Sequence, residues 1–169
     1  SRCDMNNYII RMFIVIIVSV SFSVGCSLLP SRKVTYAFKR KDIIHKQDTA
    51  IANKEIENWL NVEFGGRATI KQGYKDLEEA FVVDYDKLPA VDEKTGKVKY
   101  LSYRLLVMHD GERIYMTLIP IKPQLTYEVN RRSKLTSNFG YKEFYQEWQR
   151  LYYSLIMNVR PASLTLVQE

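Results

Sequence analysis

The stretch that decides the fold is residues 97–122, which read KVKYLSYRLLVMHDGERIYMTLIPIK. Two runs of alternating apolar and polar residues flank Asp110-Gly111, a pair typical of a two-residue hairpin turn. The pattern predicts antiparallel strands over residues 97–109 and 112–122. A turn centred on that pair would place Val107 opposite Ile114, Leu105 opposite Met116 and Tyr103 opposite Leu118. One face of this hairpin is apolar and the other is mixed, so we expect only the first to be buried.

Apolar residues at helical spacing predict one helix on each side of the hairpin. The first covers residues 49–64, with Asp48 as its N-cap and Gly65-Gly66 as its stop. Its buried face is expected to hold Ala52, Ile56, Trp59 and Leu60. The second covers residues 141–157, begins at Asn138 or Gly140 and precedes Pro161. Its apolar stripe is Tyr141, Phe144, Trp148, Leu151, Tyr152 and Leu155.

Shorter strands are predicted over residues 34–38, 68–72 and 80–85. Residues 86–96 are polar and are interpreted as a loop, while residues 125–129 either extend the sheet or cross over it. The resulting order is β-α-β-β-β-β-α. It predicts an α+β domain over residues 34–161, with two helices packed on one face of an antiparallel sheet and a tail at 162–169. This order resembles the TATA-binding-protein-like, helix-grip type of topology.

Residues 12–31 contain no charged side chain, and they allow three interpretations. The first is a secretory signal peptide, in which residues 1–25 are removed or lie upstream of the mature chain. The second adds lipid modification at the cleavage site. The third is a single transmembrane helix, for which this stretch barely reaches the required length of about 20 residues.

The second interpretation is favoured by Ser23-Val24-Gly25-Cys26, which resembles a bacterial lipobox. Small Gly25 would admit the peptidase, and the Cys26 thiol would carry the lipid as a thioether. Ser23 departs from the leucine usual at its place. The resemblance implies that acylated Cys26 begins the mature chain, that residues 26–33 form a tether and that the bilayer is a partner. Ser27 resembles the sorting signal for the outer membrane, with the inner membrane as the alternative.

The chemistry-bearing residues are few. The 169 residues include two cysteines and two histidines, which excludes a disulfide scaffold and a four-cysteine zinc site. Nucleophile-elbow, zinc-protease and nucleotide-binding motifs are missing from the sequence, so we expect no enzyme, no catalytic residue, no metal and no cofactor. His45 and His109 are interpreted as solvated residues, with a pH-sensitive contact or a general base at His109 as the alternative. The pair Asp84 and Asp86 leaves open a glycan hydrolase.

The net charge is +6, and removal of residues 1–25 would leave +5, so the basic character belongs to the mature domain. Its basic clusters are residues 39–41 and Arg131, Arg132 and Lys134. Nucleic-acid binding is one interpretation, but an exported domain meets little nucleic acid, so we expect none. Attraction of residues 39–41 to anionic lipid is a better one. A solvated linker is favoured over both.

Twelve tyrosines are an excess for this length, and four of them lie on the second predicted helix. Tyr145 and Tyr153 fall outside its apolar stripe, and Tyr115 lies on the mixed face of the hairpin. Because tyrosine is amphipathic and has few rotamers, it is favoured at interfaces. These three residues are therefore candidates for binding a partner, with a wet helix flank as the alternative.

The domain is similar to small lipoproteins of unknown function from Bacteroides and relatives, which also carry a lipobox. The resemblance covers residues 34–157 and is carried by Trp59-Leu60, residues 110–115 and residues 141–157. The basic residues after Cys26 depart from the acidic export signal of some such lipoproteins. The family has no assigned catalytic residues, so none are carried over. The lipobox-like segment, the compact domain and the missing catalytic motifs together predict an envelope lipoprotein that binds or scaffolds a protein partner. A small envelope enzyme and a single-span subunit of a secretion or conjugation assembly remain as alternatives.

Overall fold

A computed structural model describes residues 31–129 and 134–159, with the backbone alone for Lys41 and Asp42. The helices are α1 (Thr49–Phe64) and α2 (Tyr141–Asn158), and a 3-10 turn covers Leu135–Ser137. The strands are β1 (Lys33–Thr35), β2 (Phe38–Ile44), β3 (Thr69–Tyr74), β4 (Leu77–Val91), β5 (Val98–His109), β6 (Arg113–Lys122) and β7 (Thr126–Glu128).

Five of these strands form one antiparallel sheet in the order β2-β6-β5-β4-β3, and β1 pairs with β7 in a separate two-stranded ribbon. Both helices pack on the inner face of the sheet, where α1 contacts β5 and α2 contacts β2, β4 and β6. The predicted α+β class, with two helices on one face of an antiparallel sheet, is therefore confirmed.

The core lies between the helices and the inner face. Alternate residues of β5 and β6 are almost fully buried there, as the apolar face of the hairpin predicted. The helix stripes meet them: Ala52, Ile56, Trp59 and Leu60 of α1 are all buried, and so is every predicted stripe residue of α2 except half-buried Tyr141. The Asp48 side chain accepts a hydrogen bond from the Ala50 amide, so it caps α1 as predicted.

The predicted hairpin register is wrong, because each residue of β5 pairs with a residue of β6 two positions further along the chain than predicted. Val107 lies opposite Met116, Leu105 opposite Leu118 and Tyr103 opposite Pro120. The central turn residues are Gly111 and Glu112, because Gly111 takes the positive φ of 93° and the Asp110 amide donates to the Arg113 carbonyl at 3.2 Å. Asp110 Oδ1 also accepts from the Glu112 and Arg113 amides. Since the pairing moves by two positions in total, every side chain keeps its predicted face.

The predicted loop over residues 86–96 is also wrong in part, because β4 continues to Val91. A register shift between Tyr85 and Leu88 absorbs one extra residue, after which Leu88 lies opposite Leu101. β3 pairs with β4 only as far as Asp84, so Pro89 lies on a stretch with a free edge. A proline is tolerated there because no ladder hydrogen bond is lost.

The first predicted strand, residues 34–38, divides into the end of β1 and the start of β2. The basic cluster at residues 39–41 lies within β2, at an edge of the sheet, and is not a linker. The Arg40 guanidinium lies 4.7 Å from the ring centre of Tyr152. Residues 125–129 form β7, which pairs with β1 and does not extend the main sheet.

Candidate functional site

The outer face of the sheet, opposite the helices, carries a largely apolar surface. Along one cross-strand row lie Lys71, Val82, Leu106, Thr117 and Lys39, in that order. Neighbouring rows add Met108 opposite Tyr115 and Arg104 opposite Ile119. We name Val82, Leu106, Met108, Tyr115, Thr117 and Ile119 the outer-face patch. Apart from buried Val82, its members are half-buried, and none of the helices in the described ranges covers them.

The rim of the outer-face patch is basic. Lys39 and Lys71 end its central row, and both are exposed. Arg104 lies between them and binds Asp84 with two hydrogen bonds of 2.7 and 2.9 Å. Besides this ion pair, the two lysines place a positive charge at each end of the central row, while Asp110 places a carboxylate beside Tyr115.

Tyr115 is held in place within the outer-face patch. Its hydroxyl donates to Asp110 Oδ2 at 2.8 Å, which raises the pKa of the phenol. The Asp110 carboxyl has a lowered pKa because the Arg113 amide, the Tyr115 hydroxyl and the Glu112 amide all donate to it. A tyrosine fixed in this way loses little entropy on binding a partner.

Tyr145 and Tyr153 lie on α2, in the helix layer on the other side of the sheet, so the structure does not bring them together with Tyr115. The Tyr145 ring is parallel to Tyr141 at a centroid distance of 6.4 Å, and it accepts a hydrogen bond from Gln149. Tyr153 is 60% exposed and meets only the edge of Tyr152 among the ring contacts described. The three candidates therefore belong to two separate surfaces.

One of the two carboxylates that left a glycan hydrolase open, Asp84, is poorly suited to act as a general acid. Asp84 and Asp86 line an open groove of about 400 Å³ at one end of the sheet. The hydrogen bonds from Arg104 hold the pKa of Asp84 below its usual value. A general acid needs a raised pKa, so Asp84 is poorly placed to protonate a leaving group.

The interpretation of His45 and His109 as solvated residues is wrong, since both are buried. Their rings meet edge to face at 5.1 Å, below the turn between β5 and β6. His109 Nδ1 accepts from the Gly111 amide at 3.1 Å, and its Nε2 lies 3.3 Å from the His45 carbonyl. Both contacts fit an imidazole that accepts through Nδ1 and carries a proton on Nε2. His45 Nε2 is 3.6 Å from a carboxylate oxygen of Glu55.

A polar network between the helices was missed at the level of sequence. Buried Glu147 accepts from the Tyr103 hydroxyl at 2.8 Å and from Arg150 at 2.9 and 3.0 Å. Arg150 also donates to Glu63, which accepts from Ser154, and Ser154 accepts from Trp59 Nε1. One feature of the sequence could have predicted this network. Glu147 lies beside the apolar stripe of α2, and a buried carboxylate needs a partner. This network joins α1, α2 and β5.

Cys26 and its cleavage context, Ser23, Val24 and Gly25, lie outside the described residues, as do Arg131 and Arg132. No helix within the described part is both long and apolar enough to span a bilayer. Over residues 31–129 and 134–159, no group of three or more His, Cys, Asp and Glu residues is placed to hold a metal ion.

Comparisons with known proteins do not assign a function to these surfaces. No family model matches the chain, and no curated protein matches it. Among solved structures it is similar to a crystal structure of a DUF4468 family protein from Bacteroides ovatus. That pair shares 8% sequence identity with a TM-score of 0.42, over 75% of this chain and 85% of the other.

Proposed function

We propose that this chain is a lipid-tethered binding module of the bacterial cell envelope. Acylated Cys26 holds the domain on the membrane, most simply the outer membrane, and the outer-face patch binds a partner protein. The observation that carries the binding role is the outer-face patch itself. Apolar residues gathered on one face of a monomer and bordered by charge are typical of an interaction site.

Three features of the patch support a protein partner. Leu106, Met108 and Ile119 offer apolar area at its centre, and Tyr115 adds a fixed aromatic ring. Lys39 and Lys71 border the central row and would steer an acidic partner surface towards it. The sheet behind the patch is packed on the core, so the surface is rigid before binding.

The tether is tested by the intact mass of the protein extracted from membranes. We expect the mass of residues 26–169 plus acyl chains, because peptidase cleavage before Cys26 follows its modification. A Cys26→Ala variant is expected to lose both the cleavage and the lipid. An uncut and unmodified chain in both samples would instead make Cys26 a residue of a membrane helix and would direct attention to transmembrane assemblies.

The binding surface is tested by photocrosslinking in the cells that produce the protein. A benzophenone amino acid at Tyr115 is expected to give a discrete adduct, whereas the same group at exposed Tyr153 gives none. Adding Ile119→Glu should reduce the Tyr115 adduct at least about tenfold, as for a central interface residue. Val62→Glu is the matched control, since Val62 is 82% exposed on α1 and away from the patch.

Either of two results would contradict this assignment. An adduct from Tyr153 alone would move the partner to α2. Equal loss of the Tyr115 adduct in Ile119→Glu and Val62→Glu would show that the loss does not depend on the outer-face patch.

A further inference from the structure

One end of the domain combines exposed apolar side chains with lysines. We name it the basal surface and define it by Val91, Val98, Tyr100, Ile121 and Phe139 together with Lys94, Lys97, Lys99, Lys122 and Lys142. The five apolar residues are 38–63% exposed, and all five lysines are exposed. Exposed apolar residues among cations are the pattern of a surface that enters a membrane interface.

The topology brings these residues together from distant parts of the chain. Val91 lies opposite Val98 at the last pair of β4 and β5, and Ser102 opposite Lys122 ends the pairing of β5 with β6. A Cβ added at Gly140, next to Phe139, would meet Leu101 and Pro123, so the start of α2 lies close to the same end. Two grooves of about 370 and 570 Å³ meet there and share Lys99 and Phe139.

The charge of the basal surface is positive although it contains carboxylates. Asp92 is paired with Lys99 at 2.7 Å, and Glu93 and Glu143 line the larger groove. Five lysines therefore face three carboxylates around Lys99 and Phe139. The groove beside Ile121 adds two carboxylates, Asp84 and Asp86, and two cations, Arg67 and Lys87, which leaves the excess positive. The opposite end, at the turns after β3 and β5, has the reverse balance, with Asp76, Glu78, Glu79, Asp110 and Glu112 against Lys75 and Arg113. The domain is thus polarised along its strands.

The chain enters the domain at the basal end. β1 pairs with β7, which follows the end of β6, and the Tyr36 ring lies 5.8 Å from Tyr141 at the start of α2. Lys33 is seven residues after Cys26, and seven extended residues span at most about 25 Å. A lipid on Cys26 would keep the bilayer within that distance of β1.

From these observations we propose that the basal surface docks on an anionic lipid bilayer. The lysines contact the headgroups, while Val98, Tyr100 and Phe139 enter the interfacial layer, where tyrosine is a favoured residue. The inference rests on the proposed envelope location and adds an orientation to it. The acidic end then points away from the bilayer, and the outer-face patch stands beside it, accessible to a soluble partner.

The test measures the depth of single residues in vesicles. The mature chain, residues 26–169, carries Cys26→Ser together with either Val98→Cys or Val62→Cys, labelled with the environment-sensitive dye NBD. In vesicles that contain phosphatidylglycerol, we expect a blue shift and protection from an aqueous quencher at position 98. Position 62, which is 82% exposed on α1, should show neither. Because the lipidation site is absent, failure here is separable from failure of the mass test.

Charge variants then test the role of the lysines. Lys97→Glu with Lys122→Glu should weaken the response at position 98 at least about tenfold in lipid concentration, as expected for removing cations near an anionic surface. Lys46→Glu with Lys54→Glu changes the net charge equally at exposed sites on or near α1 and should have little effect. Circular dichroism confirms that each variant is folded.

Three outcomes would overturn the proposal. The first is the same emission at positions 98 and 62, which would mean that the basal surface does not face the lipid. The second is an equal response in phosphatidylcholine vesicles, which would remove the need for anionic lipid. The third is concentration-dependent self-association without lipid that Lys97→Glu with Lys122→Glu abolishes. That result would assign the basal surface to the acidic end of a second copy.

Discussion

Phe144→Ala is expected to destabilise the domain by about 3–5 kcal/mol, the cost of removing a large aromatic side chain from a packed core. Phe144 is fully buried in the first turn of α2 and contributes to the core between the helices and the sheet. Its loss leaves a cavity that rigid neighbours cannot fill. Urea unfolding followed by the fluorescence of Trp59 and Trp148, both buried, measures the change.

Phe139→Ala is the matched control for this substitution. Phe139 lies five residues earlier and is 38% exposed, and its described partner is the Lys99 ammonium at 5.4 Å. We expect a loss below about 1 kcal/mol. Equal losses for the two phenylalanines would mean that the start of α2 is not packed as described. The control also shows whether Phe139 is available for lipid contact without a role in stability.

Arg150→Met is expected to cost about 2–3 kcal/mol at neutral pH. Arg150 is the cation that Glu63 and Glu147 share, and both carboxylate side chains are at most 15% exposed. Without it, Glu147 keeps the neutral Tyr103 donor, and Glu63 keeps the neutral Ser154 donor and a weaker interaction with the charge of Arg67. Arg104→Met is the matched control, because Asp84 is 46% exposed and water replaces the lost partner. Its expected cost is below about 1 kcal/mol.

The loss of stability caused by Arg150→Met should be smaller at acidic pH. Burial opposes ionisation of Glu63, but hydrogen bonds from Ser154 and Arg150 outweigh it, so its pKa in the folded state is lowered. A lowered folded pKa stabilises the fold above the ordinary glutamate value and loses that effect as pH falls. We therefore expect the difference between wild type and variant to narrow below about pH 4. A difference that is the same at pH 7 and pH 3.5 would contradict this account of Glu63.

Periodicity was enough to predict the helices and the buried faces, because both depend on local spacing along the chain. Asp48 and Gly65 gave the bounds of α1, and alternation in residues 97–122 gave the inner face of the hairpin. The exact register did not follow. It depends on which residue of the turn takes a positive φ, and Asp110 decides this by accepting from two amides with its own side chain.

Properties that depend on residues far apart in the sequence could not be predicted from local patterns. His109 is polar and next to a turn, yet β2 and the residues after it bury it and provide the His45 carbonyl. The mixed face of the hairpin was predicted, but the lysines that border it required the strand order. The basal surface likewise needed the topology, since Val98 and Phe139 are far apart in sequence.

The small ribbon of β1 and β7 determines how the domain would respond to mechanical pulling from its N-terminal side. The Val129 amide donates to the Arg32 carbonyl at the open end of the ribbon, so force on Arg32 loads its hydrogen bonds one after another. Such unzipping needs little force, and it frees the chain up to Tyr36 before β2 is strained. Opening of the ribbon would thus lengthen the tether of the domain under force, while the five-stranded sheet stays folded.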